Sequence, residues 1–162
     1  MSPNSEATQE EREDLPLSKA AEYLLEECRM VLPGIQALFG FQLIVVFNPS
    51  FGQRLTAAEQ NLHLLAIALL AAAIALVMTP AAYHRQTGPR EVTARFISVS
   101  SYLLLFGMLP LAISLSLDLY LVGRVMAGRL VAILLATAAF VFFAFLWFAF
   151  PRIGARRASR TG

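Results

Sequence analysis

The chain has 162 residues, of which 57% are hydrophobic and 15% are charged, and its formal net charge is +2. Soluble domains are nearer about 45–50% apolar and about 25% charged, so this composition excludes an ordinary soluble domain and indicates a membrane protein. Cys28 is the single cysteine, which excludes an internal disulfide and a thiolate metal cluster.

Four long segments of the sequence contain no Asp, Glu, Lys or Arg. They are residues 30–53, 60–83, 96–117 and 130–151. At a helical rise of 1.5 Å per residue each is roughly 33–36 Å long, enough to cross the hydrocarbon core of a bilayer, which is about 30 Å thick. A backbone in lipid must satisfy its own hydrogen bonds, which makes each span a helix. The sequence therefore predicts an all-α membrane protein, with four transmembrane helices in an up-down bundle, at about residues 30–48, 62–83, 94–117 and 128–150.

The residues before the first span form two segments of different composition. Residues 1–14 form a predicted disordered acidic tail, and they lack the basic region and apolar core of a cleaved signal peptide. Apolar residues then recur at helical spacing, which predicts a short amphipathic cytoplasmic helix over 17–29. This segment either lies on the membrane surface or extends the first span into the cytoplasm.

The predicted four-helix transmembrane domain comprises residues 15–151, and residues 152–162 form a basic tail. The distribution of Lys and Arg residues predicts how this domain is oriented in the membrane. Ten of them lie on the side of the N-terminal segment, the loop between spans two and three and the C-terminal tail. Three lie on the other side: Arg54, Arg124 and Arg129. Because positively charged loops stay in the cytoplasm, both termini are predicted to be cytoplasmic.

The end of the second span, TPAAYHRQTG, contains His84, the best candidate in the sequence for a residue with a chemical function. His84 lies between Tyr83 and Arg85, and Glu26 is placed to face it across the interface. A histidine side chain can change its charge near neutral pH, so His84 could accept protons from the cytoplasm. The alternative is an anchoring cluster at headgroup depth, formed by an aromatic ring, an imidazole and a snorkelling guanidinium. The sequence favours the anchor, because functional ionisable groups usually lie inside the membrane.

Inside the predicted spans the polar residues are few. No Asp, Glu, Lys or Arg lies in the four segments 30–53, 60–83, 96–117 and 130–151, and Gln36 and Gln42 stand in the first span. A hydrogen bond from each glutamine to a neighbouring helix is favoured over a contact with a substrate. Asp118 is expected in or beside the outer loop, where ion pairing contributes little.

The sequence shows neither the motifs of an enzyme nor the spacing of a metal site. His63 and His84 are 21 residues apart on one predicted helix, or about 32 Å, and cannot share an ion. Nucleophile–base pairs, phosphate-binding glycine loops and paired catalytic carboxylates are absent. We therefore predict no enzyme activity, no cofactor and no metal site.

Short motifs occur in a recognisable order, ECRMVLPGIQALFGFQL and then PAAYHR. With them, residues 15–151 resemble a bacterial family of small four-helix membrane proteins of unknown function, some of whose members are labelled sodium:proton antiporter. The matching residues are Glu26, Arg29, Pro33, Gly34, Gln36, Phe51, Gln53, Arg54, Pro80, Tyr83, His84 and Arg85. Gln42 departs from the pattern, which usually has an aliphatic residue there. The resemblance implies a multi-pass protein of the bacterial cytoplasmic membrane.

Two functions remain open at this point. In the first, which the sequence favours, the protein is a non-catalytic membrane component that binds a partner. In the second, it is a small oligomeric ion or proton transporter or channel. The candidate functional residues are Glu26, Arg29, Gln36, Tyr83, His84 and Arg85. The expected partners are the lipid bilayer and either further copies of the chain or another membrane protein, with no nucleic acid.

Overall fold

The computed structural model describes residues 16–87 and 93–153. The predicted acidic tail, the loop over 88–92 and most of the predicted basic tail lie outside the described residues. Within the described residues, five α-helices follow one another: α1 Leu17–Val46, α2 Ser50–Arg54, α3 Ala57–Thr87, α4 Ala94–Ala127 and α5 Arg129–Ala144, which continues into a π-helical turn at Phe145–Ala149.

Four of the described helices are long and apolar enough to cross a membrane. They are Leu17–Val46, Ala57–Gln86, Ala94–Ala127 and Arg129–Ile153. No strand occurs in residues 16–87 or 93–153. The predictions of an all-helical protein and of four helices of membrane-spanning length are therefore confirmed.

Helix α1 is continuous from Leu17 to Val46 and contains Pro33 without ending there. Residues 17–29 are thus the first part of a long helix and not a separate element, in keeping with the extension of the first span. Ala21, Leu24 and Cys28 on this part are buried against the rest of the molecule, at the helical spacing that the apolar pattern indicated.

The helix ends have specific local causes. At the start of α3, Thr56 and Glu59 form a reciprocal capping box, in which the Glu59 amide donates to Thr56 Oγ1 and the Thr56 amide donates to Glu59 Oε2. Thr93 caps α4 by accepting a hydrogen bond from the Phe96 amide. Gly128 alone separates α4 from α5, and its φ of 89° is a conformation that glycine adopts without strain.

The core lies between α1, α3 and α4. Its buried members are Leu24, Cys28, Ile35, Leu70, Ala73, Val77 and Leu111, and Trp147 packs against them. α3 and α4 share the largest contact, α5 packs on α4, and α1 packs on both α3 and α4. This arrangement brings the end of α1, the start of α3 and the last third of α4 together at one end of the bundle.

Candidate functional site

Three helices contribute one polar side chain each to a buried cluster. Gln42 comes from α1, His63 from α3 and Asp118 from α4, and we call these three residues the polar cluster. Gln42 and His63 are 5% and 4% exposed, and the Asp118 side chain is 28% exposed. Asp118 lies nine residues before the end of α4, or about 14 Å along the helix. The cluster is therefore within the helical bundle and not in a loop.

The Gln42 amide joins α1 to α4, and Ser114 extends the network to α3. Its Nε2 donates to Ser114 Oγ over 3.1 Å and to Asp118 Oδ2 over 2.5 Å. The Ser114 hydroxyl donates to the backbone carbonyl of Ala66 over 2.9 Å, so its oxygen is free to accept from Gln42. Reversing the amide would place its oxygen against the Asp118 carboxylate, so the network itself fixes the orientation.

One acceptor in this network has no donor. Gln42 Oε1 is buried and no hydrogen-bond donor of the described residues reaches it. A buried carbonyl oxygen without a partner costs about 1–3 kcal/mol. Such groups are rare enough in folded proteins that each calls for a physical explanation.

The imidazole of His63 has a defined tautomer. Its Nε2 lies 3.0 Å from the backbone carbonyl oxygen of Gln42, and since a carbonyl only accepts, Nε2 carries the proton. Nδ1 faces Asp118 Oδ1 at 3.9 Å, which is too long for a direct hydrogen bond. A neutral His63 therefore directs a lone pair at the carboxylate, whereas a protonated His63 directs an N–H group at it.

A cavity of about 370 Å³ adjoins the polar cluster. Gln42, His63 and Asp118 supply its polar wall, and Phe41, Val122 and Met126 are among its apolar residues. Phe51 of α2 closes one side, with its ring centroid 5.3 Å from that of His63. The cavity thus joins a carboxylate, an imidazole and an amide to an otherwise apolar surface.

An ion pair lies about one helical turn from the cluster, toward the same end of the bundle. Arg124 Nε is 3.0 Å from Glu59 Oε1, and the Glu59 side chain is 9% exposed. Glu59 Oε2 also accepts hydrogen bonds of 2.9 Å from the Thr56 amide and hydroxyl. Since both carboxylate oxygens of Glu59 are engaged locally, we assign this pair to joining α3 and α4.

The residues that the sequence singled out lie elsewhere. Glu26 pairs with Arg29 on its own helix at 3.5 Å, with both side chains more than half exposed, and it forms no ion pair with His84. Tyr83 and His84 contact the Phe96 ring at centroid distances of 5.7 and 5.6 Å. Gln36 and Arg85 are exposed. The structure thus brings Tyr83 and His84 together on Phe96.

One sequence expectation needs correction. Asp118 was expected in or beside a loop, but α4 continues to Ala127 and holds it within the helix. The expectation that Gln42 hydrogen-bonds to a neighbouring helix is confirmed, because its amide donates to Ser114 and Asp118 of α4. The run LYLV that follows Asp118 is as apolar as the span before it, and this signal could have extended the predicted helix past the carboxylate.

Metal binding is not supported by the donors present. In the parts of the chain that the structure describes, no group of three or more His, Cys, Asp or Glu side chains is placed to hold a metal ion. The polar cluster offers one carboxylate, one imidazole and one amide oxygen.

The comparisons with known proteins agree with the sequence resemblance at the level of the family. Residues 7–151 match a family described as "Family of unknown function (DUF6328)". No curated protein and no solved structure matches the chain. The match covers most of the 162 residues, and the chain belongs to this family of unknown function.

Proposed function

We propose that the protein is a small proton-coupled transporter of the bacterial cytoplasmic membrane, in which Asp118 is the proton-binding group. The observation that carries the proposal is the contact of Asp118 with Gln42 and His63 inside the helical bundle. Ionisable side chains within membrane helices are costly and rare, and they mark ion paths and proton relays. The uncharged segments of the sequence end before Asp118, whereas α4, which is long and apolar enough to cross a membrane, includes it; this supports the proposal.

The proposed topology is an up-down bundle with both termini in the cytoplasm. Two observations support it: the excess of Lys and Arg in the segments assigned to the cytoplasm, and the meeting of Gln42, His63 and Asp118 at one end of the bundle. In this topology the cavity lies near the outer surface. His84 lies at the opposite, cytoplasmic end.

The proton is held between two named atoms. Bound to His63 Nδ1, it forms an imidazolium beside the Asp118 carboxylate; bound to Asp118 Oδ1, it leaves both side chains neutral. His63 Nε2 keeps its own proton on the Gln42 carbonyl in both states. The cluster can therefore gain and lose a proton without losing the hydrogen bonds that join the helices. This is a binding and transport role, and we propose no catalytic one.

Access from the cytoplasmic side requires a rearrangement. Leu70, Ala73 and Val77 follow His63 along α3 and are fully or almost fully buried, so the core separates the cavity from the opposite end. We propose that the translocating form is a homo-oligomer, in which a helix interface lets this side open. The alternative, which the sequence favours, is a non-catalytic membrane component, in which the polar cluster only holds helices together.

Proton flux in proteoliposomes tests the proposal. The native full-length protein, an Asp118→Asn variant, a His84→Ala variant and empty vesicles are compared with an internal pH-sensitive dye under sodium and potassium gradients. We expect the native protein to exceed empty vesicles, Asp118→Asn to fall to their level and His84→Ala to keep the native rate. Asparagine preserves a side-chain oxygen that accepts the hydrogen bond from Gln42, but its amide cannot exchange a proton as a carboxyl group does.

Two other results would contradict the proposal. Equal flux for the native protein and Asp118→Asn, with the same helicity by circular dichroism, would make the polar cluster structural. Loss of flux in His84→Ala alone would move the proton site to the cytoplasmic end.

A further inference from the structure

Asp118 is the charged group of the cavity next to the polar cluster. Its Oδ2 accepts from Gln42 Nε2, whereas its Oδ1 has the His63 ring nitrogen 3.9 Å away, beyond hydrogen-bond distance. Gln42 Oε1 is buried, and the cavity does not expose it. A ligand that completes this site must bring an N–H or O–H donor to Asp118 Oδ1, and a positive charge would suit the carboxylate.

The rest of the cavity has a different chemical character. Phe41, Val45, Val122, Val125 and Met126 line it with apolar surface. A hydrated inorganic cation is a poor match, because Ca²⁺ and Mg²⁺ take about six to eight oxygen ligands, and this site offers only two side chains with oxygen. A volume of about 370 Å³ is in the range of pockets for small organic ligands, about 300–1,000 Å³.

We propose that the cavity binds a protonated amine with an apolar body, held by Asp118 Oδ1. The ammonium group donates to this carboxylate oxygen, and the apolar body lies against the valines and Phe41. This inference rests on the proposed function, because it names the class of solute whose movement the proton at Asp118 would accompany.

The charges around Asp118 favour such an exchange. From α3 it faces His63, and Glu59 is engaged by Arg124 of α4 at 3.0 Å. α1 contributes the neutral Gln42, and the basic residues of α2 and α5 nearest this end, Arg54 and Arg129, are exposed. The Arg124 charge is thus already paired, and the Asp118 carboxylate is left to His63 or to a bound cation.

Binding and proton release are balanced in this scheme. The ammonium ion enters beside Asp118, and the proton shared by Asp118 and His63 leaves to water through the mouth of the cavity. One positive charge enters as one leaves, so the buried site keeps its net charge. Ligand binding should then release about one proton for each amine bound.

Calorimetric titration with 3-phenylpropylamine tests the proposal. The full-length protein in phosphatidylcholine nanodiscs is titrated in two buffers of different ionisation enthalpy, which counts the protons released. We expect saturable binding, weakened about tenfold or more in Asp118→Asn, since a charge-assisted hydrogen bond is lost. The N,N,N-trimethyl form of the same probe should bind more weakly, because it keeps the charge but has no N–H donor.

A matched pair of variants tests the location. Val125 lines the cavity and Val131 does not, and each is 40% exposed. Val125→Phe should therefore weaken binding by filling the cavity, while Val131→Phe should leave it unchanged. A nanodisc arm with added phosphatidylethanolamine distinguishes the source of the amine: competition by this lipid assigns a headgroup, and undiminished binding of the probe assigns a soluble amine.

Three results would overturn the inference. The first is equal binding by the native protein and Asp118→Asn, which would indicate partitioning into lipid. The second is equal weakening by Val125→Phe and Val131→Phe. The third is absence of amine binding in a preparation whose proton flux still depends on Asp118; this would leave the proposed proton site standing and reject the amine alone. Amine binding that depends on Asp118 without any proton flux would instead reject transport.

Discussion

Gln42 shows how one side chain can position an ionisable group in a bundle of apolar helices. Its amide donates to Ser114 and to Asp118, and its backbone carbonyl accepts from His63. One residue of α1 thus sets the position of groups on both α3 and α4. Gln36, six positions earlier on the same helix, is exposed, because six residues correspond to about 240° of helical rotation.

The two glutamines provide a matched stability test. Gln42→Leu removes two side-chain hydrogen bonds and leaves Asp118 without its amide donor, so we expect a loss of about 1–2 kcal/mol in the free energy of unfolding. Gln36→Leu replaces an exposed side chain and should change stability by much less. Thermal unfolding of both variants in the same detergent, followed by circular dichroism, measures the difference. Equal midpoints for the two variants would mean that the Gln42 network contributes nothing to folding.

At the scale of elements, the contact between α4 and α5 depends on small residues. The Gly123 backbone lies so close to α5 that a Cβ atom there would be 3.0 Å from the Cα of Ala132. Ala132 itself is completely buried. Because the obstructing atom belongs to the backbone, no side-chain rotation can relieve the contact. The one-residue connection at Gly128 leaves little room for α5 to move away.

Alanine substitutions at two helical glycines test this packing. We expect Gly123→Ala to destabilise the protein by about 1–3 kcal/mol, as overpacking does in other cores. Gly40→Ala in α1 is the control, since nothing lies within 4 Å of its Cβ position. Alanine there should be neutral or stabilise by up to about 1 kcal/mol through its better helix propensity. Chemical or thermal unfolding of the two variants should move in opposite directions, and a destabilised Gly40→Ala with an unaffected Gly123→Ala would contradict the packing.

At the scale of the whole molecule, the two ends of the bundle differ in chemistry. One end holds Gln42, His63, Asp118 and the Glu59–Arg124 pair, of which Glu59 is buried. The other holds His84, Tyr83 and Phe96 in ring contact and the exposed Glu26–Arg29 pair. Which end faces the cytoplasm therefore decides from which side a proton or an amine reaches Asp118.

Cysteine labelling tests this orientation. In a Cys28→Ala background, Ser50→Cys places a thiol at the exposed start of α2 and Gln86→Cys places one at the exposed end of α3. With both termini in the cytoplasm, a membrane-impermeant maleimide should label Ser50→Cys in intact cells and Gln86→Cys only after permeabilisation. The reverse pattern would invert the topology and open the cavity to the cytoplasm.

The helices were predictable from the sequence because their requirements are local. A membrane span needs about twenty mainly apolar residues in one stretch, and a helix satisfies its backbone within that stretch. Four uninterrupted apolar segments were therefore enough to predict the four long helices of the structure. The weakest point was the end of the third span, placed at residue 117 because charge was used as the boundary, whereas α4 continues through Asp118 to Ala127.

Only the tertiary structure decided which polar residues meet. Gln42, His63 and Asp118 are 21 and 55 residues apart in succession, and they lie on three different helices. Helical periodicity places a side chain on a face but does not say which face of another helix it will contact. The sequence therefore drew attention to His84, whose neighbours Tyr83 and Arg85 are adjacent along the chain. The buried site instead depends on how α1, α3 and α4 pack, and that packing is a property of the folded chain as a whole.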